Sequence, residues 1–360
     1  MTSISIDTRM INSSGIGRYI ENLIPLLLNN GGLQITCLGN FEVLSEYNWF
    51  NEVKFIELRS EIFSISEQIE LPKMIPVCDI FWSPQYNVPI FPIRAKKRVV
   101  TIHDVYQLAH LQELTVIKKI YVKVMTFFAV KLSASIVTVS KFSRNEILRL
   151  TNADSKKLSV VYNAVNEKFS TDVEPRQSDE KYILFVGNIK PHKNLINALL
   201  AFRLFLQKND NYKFYIIGKK EGFITGINNL DTLIKGIERC VIFTGYISDH
   251  ELKGYYSNAS LFFFPSKYEG FGLPILEAMK FNIPILSSNA ASLPEVGGDA
   301  ILYCGSNDVY DMAEKLESVL DNKITFSRIK YDNQLKKFSW ANSSNKYTAL
   351  FGELCEKNHI

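Results

Sequence analysis

The sequence predicts an α/β protein built as two doubly wound halves in series. Three observations lead there. Short apolar runs rich in β-branched and aromatic residues alternate with longer helical patterns, as in βαβ units around parallel sheets. The alternation stops at a polar stretch over residues 166–181, which carries Pro175 and no sustained apolar period, and then restarts. The length of 360 residues suits two domains better than one. The expected organisation is a first domain over 1–165, a linker over 166–181, a second domain over 182–338, and a closing segment over 339–360 whose helix crosses back to the first domain.

In the first half, strand patterns fall at residues 4–7, 34–38, 54–58, 80–82, 99–102, 136–139 and 159–162. Helical patterns between them cover 16–28, 116–132 and 141–150, the last with Ser140 as its N-cap. In the second half, strands are expected at 182–186, 214–217, 241–244, 261–264, 283–286 and 300–303. Helices separate them at 195–207, 249–256, 274–279 and 308–320, and a final helix spans 341–355. No short tandem repeat and no low-complexity tract interrupts this. Ligands of such sheets sit beyond the carboxyl ends of the strands. Two facing halves would frame a cleft, so the loops that follow strands are the places to seek chemistry.

Composition narrows the function. With 46% hydrophobic and 22% charged residues, the chain can bury an ordinary globular core. No stretch approaches the roughly 20 apolar residues of a membrane-spanning helix. Its first residues read as a strand rather than a secretory leader, for they lack a basic region and a long apolar run. A net charge of +4 allows attraction to an anionic substrate or membrane surface but is too weak to indicate nucleic acid. Cys37, Cys78, Cys240, Cys304 and Cys355 lie far apart without a C-x-x-C pair. They are expected to be core thiols in a reducing cytoplasm, with neither a disulfide nor a metal site.

The richest segment is FPSKYEGFGLPILEAM, residues 264–279. It leaves an apolar strand, passes Gly270 and Gly272, and enters a helix with Pro274 near its first position, where a missing N–H is harmless. Amides at a glycine-loosened helix N-terminus make a ready anion site. Glu269 precedes the turn and Glu277 follows about one turn into the helix. The two carboxylates can therefore address different hydroxyl groups, one on each side of a bound phosphate. Surface acids reach E-x7-E spacing by chance. It is the strand, the paired glycines and the Pro-initiated helix that make this spacing a candidate site.

Gly15 and Gly17 lie in SGIGR, between the first strand and the first helix, where glycine amides can approach a phosphate. A lone G-x-G is equally a tight turn. A dinucleotide fingerprint would need Gly or Ala where Ile20 stands and an acid ending the second strand, where the chain reads CLGN. A dehydrogenase is disfavoured. His103, followed by Asp104, ends the strand at 99–102 and is either a cleft residue or a structural one. His110, His192, His250 and His359 lack metal-ligand spacing.

The segment SKYEGFGLPILEAMKFNIPILSSNAASLPEVGGDAILY, residues 266–303, resembles the C-terminal signature of the retaining glycosyltransferases of family four, which share the GT-B fold. The resemblance continues in FVGNIKPHKN (185–194), VYNAVN (161–166), TVSKFSRNEI (138–147), TIHD (101–104) and SGIGRY (14–19), in family order over nearly the whole chain. It implies two Rossmann-like domains facing across a cleft, with a nucleotide-diphosphate sugar as donor. Glu269 would contact donor-sugar hydroxyls, and Glu277 would hold the ribose. Amides around Gly270, Phe271, Gly272 and Leu273 would face the sugar and diphosphate, as would Gly15 and Gly17. Lys193 matches the family lysine on the diphosphate. Asn188 stands where arginine is commonest, a missing cation that Lys190 or Arg18 would replace. His103 would lie near the donor sugar, which makes His103, Glu269 and Lys193 the catalytic candidates. The family mechanism is front-face displacement, in which the leaving phosphate helps deprotonate the acceptor. Neither a metal nor a cofactor is implied.

Within that family, VGNIKPHKN and IDTRMINSSGIGRY are most similar to mannosyltransferases of O-antigen assembly. The expected activity is transfer of a hexose, first of all mannose from GDP-mannose, in bacterial surface polysaccharide synthesis. The acceptor would be a glycan or a polyprenyl-diphosphate-linked oligosaccharide, met in the cytoplasm or at the inner face of the membrane. The alternatives are a UDP-sugar donor, or a nucleotide-sugar 2-epimerase of the same architecture, against which the E-x7-E segment argues. The helix over 116–132 carries Lys118, Lys119, Lys123 and Lys131 amid apolar residues. It reads either as a basic amphipathic helix on an anionic membrane or as an ordinary helix packed on the first sheet through Met125, Phe127 and Phe128.

Overall fold

The computed structural model describes residues 1–166, 169, 171–172, 180–219 and 230–356. Most of the expected linker lies outside the described residues. The chain divides into two compact units, Met1–Asn166 with Ser339–Ile360, and Glu167–Phe338.

In the first unit the strands are β1 (Thr2–Asp7), β2 (Leu33–Gly39), β3 (Lys54–Glu57), β4 (Cys78–Ser83), β5 (Ala95–Thr101), β6 (Ser135–Thr138) and β7 (Leu158–Val160). They form one sheet in the order β3-β2-β1-β4-β5-β6-β7, with every pair parallel. The second unit holds β8 (Lys181–Val186), β9 (Tyr212–Ile217), β10 (Val241–Gly245), β11 (Leu261–Phe264), β12 (Ile285–Ser288) and β13 (Leu302–Cys304). Their order is β10-β9-β8-β11-β12-β13, again parallel throughout. Central strands such as LFFF of β11 are buried on both faces, as parallel sheets require. In each sheet the strand order reverses direction at one place, β1/β4 in the first and β8/β11 in the second. Those crevices are where such folds bind ligands.

The C-terminal helix Trp340–Glu356 belongs to the first unit because its aromatic face is buried there. Tyr347 hydrogen-bonds Tyr19 through the two hydroxyls and reaches Thr101 Oγ1 at 2.8 Å, while Trp82 Nε1 donates to the same threonine at 3.0 Å. Burying these polar tips is tolerable because each has a partner. In the second unit, helices Leu195–Leu206 and Val309–Leu320 cover one face of the sheet with Phe202, Phe205, Met312 and Leu316.

Sequence and structure differ where long-range contacts decide. Strand β5 begins at Ala95 rather than near Val99, because β4 pairs Ala95 and Lys97 regardless of their polarity, and Lys96 meets Asp79 at 2.8 Å. Helices Glu67–Met74 and Arg328–Leu335 have no clear apolar periodicity in the sequence. The second is held by Tyr331 Oη donating to the Ile283 carbonyl at 2.9 Å and Gln334 Nε2 to that of Val296 at 2.8 Å. All five cysteines are free thiols; burial pushes those of Cys37 and Cys304 up to about 12, which leaves them unreactive. Among the described residues, no helix is long and apolar enough to cross a membrane.

Candidate functional site

The crevice at β8/β11 assembles most of the expected donor-binding residues. The loop after β8 starts at Gly187, and a side chain on neighbouring Gly218 would overlap the Gly187 carbonyl, so the two loops meet backbone to backbone. It ends at Asn194, a non-glycine residue at φ +62°, which asparagine tolerates better than most. Asn194 is buried, and its Nδ2 donates to the Pro265 carbonyl at 2.9 Å and to the Ser306 carbonyl at 2.6 Å. The Lys267 amide donates to the His192 carbonyl at 2.7 Å. The loop after β8 is thereby tied to the loop after β11.

Across that junction Lys193 Nζ meets Glu269 Oε1 at 2.6 Å, with side chains 15% and 12% exposed. Lys193 also lies 5.3 Å from the Phe264 ring centroid. Its reach is therefore held by a carboxylate and an aromatic face, yet water still touches the pair. Asn188 and Lys190 sit on the same loop, Asn188 half-buried and Lys190 exposed.

The loop 265–272 is shaped from beneath. Buried Ser292 donates through Oγ to the carbonyls of Glu269 at 2.9 Å and Phe271 at 2.6 Å, and Ser288 Oγ donates to that of Ser266. Gly272 is the N-cap of helix Leu273–Lys280 at φ +114°, and a Cβ there would press on Leu293. Only glycine suits both demands. Gly270, Phe271 and Leu273 flank this cap at the helix N-terminus. Glu277 lies on the buried face of the helix, where it accepts a hydrogen bond from Tyr256 Oη at 3.0 Å. The two glutamates thus have different settings, one in a water-accessible ion pair and the other within the fold beside a tyrosine.

In the first unit, His103 follows β5 as a partly buried residue. Its Nε2 lies 2.9 Å from the Pro84 carbonyl, which fixes the proton there, and Tyr19 packs edge-on at 4.9 Å. Burial pushes the imidazole down to about 4, so the ring is neutral near pH 7 and Nδ1 is its acceptor. Its backbone is held by Ser143 Oγ, which donates to the His103 carbonyl at 3.0 Å. Ser140 caps the helix carrying Ser143. Asp104 accepts the Tyr106 amide at 2.9 Å.

The glycines of the first unit require a correction. Gly15 and Gly17 lie inside helix Ser14–Asn29 rather than in a loop before it. The Gly17 amide donates to the Ser13 carbonyl at 2.5 Å, which removes it as a phosphate donor. A side chain at Gly17 would overlap the Ile11 carbonyl, so this glycine serves close packing. Gly15 stands in open space in the first turn.

At the β1/β4 crevice, Arg9 binds Asp7 through Nε at 2.9 Å and through a terminal nitrogen at 2.7 Å, and it reaches Glu67 at 2.5 Å. Asn87 Nδ2 donates to both Glu67 oxygens at 2.7 Å, and Tyr121 Oη donates to Asn87 Oδ1. Burial pushes the Glu67 carboxyl above its ordinary range, against the pull of Arg9. Sequence reading missed this network, because nothing local connects Arg9 with Glu67. It missed Asn194 too, although an Asn directly before a helical pattern is a usable signal for a left-handed residue.

The profile of the group 1 glycosyl transferases matches residues 166–338. The chain is 32% identical over 284 residues to O-antigen chain mannosyltransferase B of Escherichia coli, spanning 72% of each chain. It is 27% identical over 247 residues to O-antigen chain mannosyltransferase RfbU of Salmonella typhimurium, spanning 69% of this chain and 67% of that one. Its fold is similar to that of Anabaena HepE in complex with UDP and glucose, with a TM-score of 0.76 at 13% identity over 98% of this chain and 100% of that one. The chain belongs to the group 1 glycosyl transferases. It is a hexosyltransferase of GT-B fold.

Proposed function

We propose that this enzyme transfers mannose from GDP-mannose, with retention at the anomeric carbon, onto a glycan or a polyprenyl-diphosphate-linked oligosaccharide of a surface polysaccharide. The observation that carries the donor reading is the Lys193–Glu269 pair at the β8/β11 crevice, on the strand-to-helix turn that also leads to Glu277. An incoming diphosphate competes for Lys193. The released Glu269 carboxylate then accepts hydrogen bonds from sugar hydroxyls, and Glu277 takes the ribose.

As the bond from sugar to phosphate breaks, charge grows on the diphosphate. Lys193 and the amides at the start of helix Leu273–Lys280 oppose it with fixed positive ends, which is electrostatic stabilisation of the leaving group. The departing phosphate takes the acceptor proton. His103, neutral and with Nδ1 as acceptor, suits a sugar hydroxyl rather than proton transfer. Support for mannose comes from the names of the two curated relatives. Free thiols suit a reducing compartment, and we place the reaction at the cytoplasmic face of a membrane.

No metal or cofactor takes part in this proposal. Asp7, the acid that ends β1, is held by Arg9. Transfer is expected to continue in excess EDTA; full loss that magnesium or manganese restores would overturn metal independence. A thermal-shift panel of GDP-mannose, UDP-sugars and ADP-sugars tests the donor, since binding stabilises the fold by mass action. A shift with GDP-mannose, and radiolabelled mannose recovered in an acceptor, is the expected result. A shift with UDP-sugars alone would replace the donor. Interconversion of the donor without acceptor would make the protein an isomerase.

A further inference from the structure

In the second unit, Lys193 and Glu269 depend on each other. Among the described residues, the Glu269 carboxylate meets a single donor, Lys193 Nζ at 2.6 Å, and Lys193 meets a single carboxylate. Both side chains are mostly buried, so little water is at hand to replace a lost partner. The backbone that carries Glu269 is fixed from beneath, where Ser292 Oγ donates to the carbonyls of Glu269 and Phe271. The carboxylate therefore stays at this crevice when Lys193 turns away.

A diphosphate at the crevice acts on Glu269 in two unfavourable ways. It draws off the one cation, and it brings further negative charge to a place where water screens poorly. A mostly buried charge left without its partner is destabilising. The intact donor offsets this, because its sugar hydroxyls donate to the freed carboxylate. A spent nucleotide has lost those hydroxyls, and its ribose belongs to Glu277.

We propose that Glu269 sets the preference of this crevice for the intact nucleotide-sugar over the spent nucleoside diphosphate, by reclaiming Lys193 once the sugar has left. The proposal rests on the donor reading above and adds to it a role in product release. Transfer removes the sugar, the carboxylate loses its hydroxyl donors, and Lys193 returns from the diphosphate to Glu269. The same ion pair that a donor opens is then the one that expels the product. Neutralising the carboxylate should have opposite effects on the two ligands. It should strengthen binding of the nucleotide and leave the sugar-bearing donor weaker or no tighter. A substitution that merely loosened the loop would weaken both.

The test is calorimetry of the full chain without acceptor. GDP and GDP-mannose form one pair of probes, UDP and UDP-glucose a second. In Glu269→Gln and Glu269→Ala the dissociation constant of the nucleoside diphosphate should fall about tenfold, the scale of a buried charge no longer left unpaired. That of the sugar-bearing donor should stay level or rise, so the ratio of the two moves about tenfold or more. The nucleotide should also become a stronger inhibitor of residual transfer. Nucleotide affinity unchanged or weakened in these variants would overturn the proposal. So would equal tightening of nucleotide and donor, which would show repulsion of anions without discrimination. If the UDP pair alone binds, the guanine reading falls, while the ratio read on UDP still supports or overturns the role of Glu269. A wild type that binds none of the four probes would overturn both.

Discussion

At the switch point of the first sheet, Arg9, Asp7, Glu67 and Asn87 form a network that water does not reach. At the same topological place in the second sheet, Lys193 and Glu269 form an ion pair that water still touches. Both crevices collect charge where the strand order reverses, and they use it in opposite ways. In the first, the Arg9 guanidinium, the Asn87 side-chain amide and the backbone N–H groups of Arg9 and Phe63 all donate to the two carboxylates, so the network holds loops together. In the second, cation and carboxylate are held from behind by Asn194 and Ser292 while their charged ends remain within reach of solvent. Topology collects the charges; burial decides whether they bind or brace.

The sharpest way to break this contrast is Arg9→Met. It leaves two buried carboxylates without their cation, and removing one partner of a buried pair costs about 3–5 kcal/mol. Urea denaturation should show that loss in the first unit, while GDP affinity stays unchanged at a temperature where the variant is folded. A neutral result would show that the first network braces nothing.

In the second crevice the effect should fall on catalysis. Glu269→Ala and Lys193→Met should each lower transfer about a hundredfold or more, the range of a lost electrostatic contact in the transition state. Their stability loss should be smaller than that of Arg9→Met. GDP should still bind the Glu269 variant. Transfer within a factor of two of wild type would remove the residue from the site.

A third measurement separates the two glutamates. Glu277→Ala should weaken GDP itself, because a hydrogen bond to a charged group is worth about 1.5–3 kcal/mol. Calorimetry should show a dissociation constant raised tenfold or more. Unchanged affinity would leave Glu277 as a partner of Tyr256 alone.

A fourth measurement concerns pH. His103 is pushed down to about 4 in the folded protein, while an unfolded histidine titrates near 6.5. Between these values the unfolded state holds a proton that the folded state lacks, so acidification favours unfolding. The contribution is fully present above pH 6.5 and declines as pH falls toward 4. Stability curves of wild type and His103→Gln should therefore converge over that window. Parallel curves would mean that the ring titrates normally.

Much of this was legible in one dimension. The run FPSKYEGFGLPILEAM announces a strand, a glycine turn and a Pro-initiated helix through local sterics alone, and the crevice after β11 follows from it. The alternation of short apolar runs with longer helical patterns likewise pointed to parallel sheets, in which strands buried on both faces read as LFFF or YILFV. Where each property is set by neighbours in the chain, sequence suffices.

Three features were decided only in the tertiary structure. Glu67 joins Arg9 across 58 positions, and no spacing rule spans that distance. Gly17 looked like a phosphate contact, yet it is a packing position because the Ile11 backbone passes against it. The helix over 116–132 has apolar residues nearly all around, so its sequence alone could not say which of them face the sheet. Packing buried Met125 and left Ile117 and Phe127 outside. A sequence records which side chains seek burial; the folded chain has room for only some of them, and the shape of the neighbouring sheet selects which.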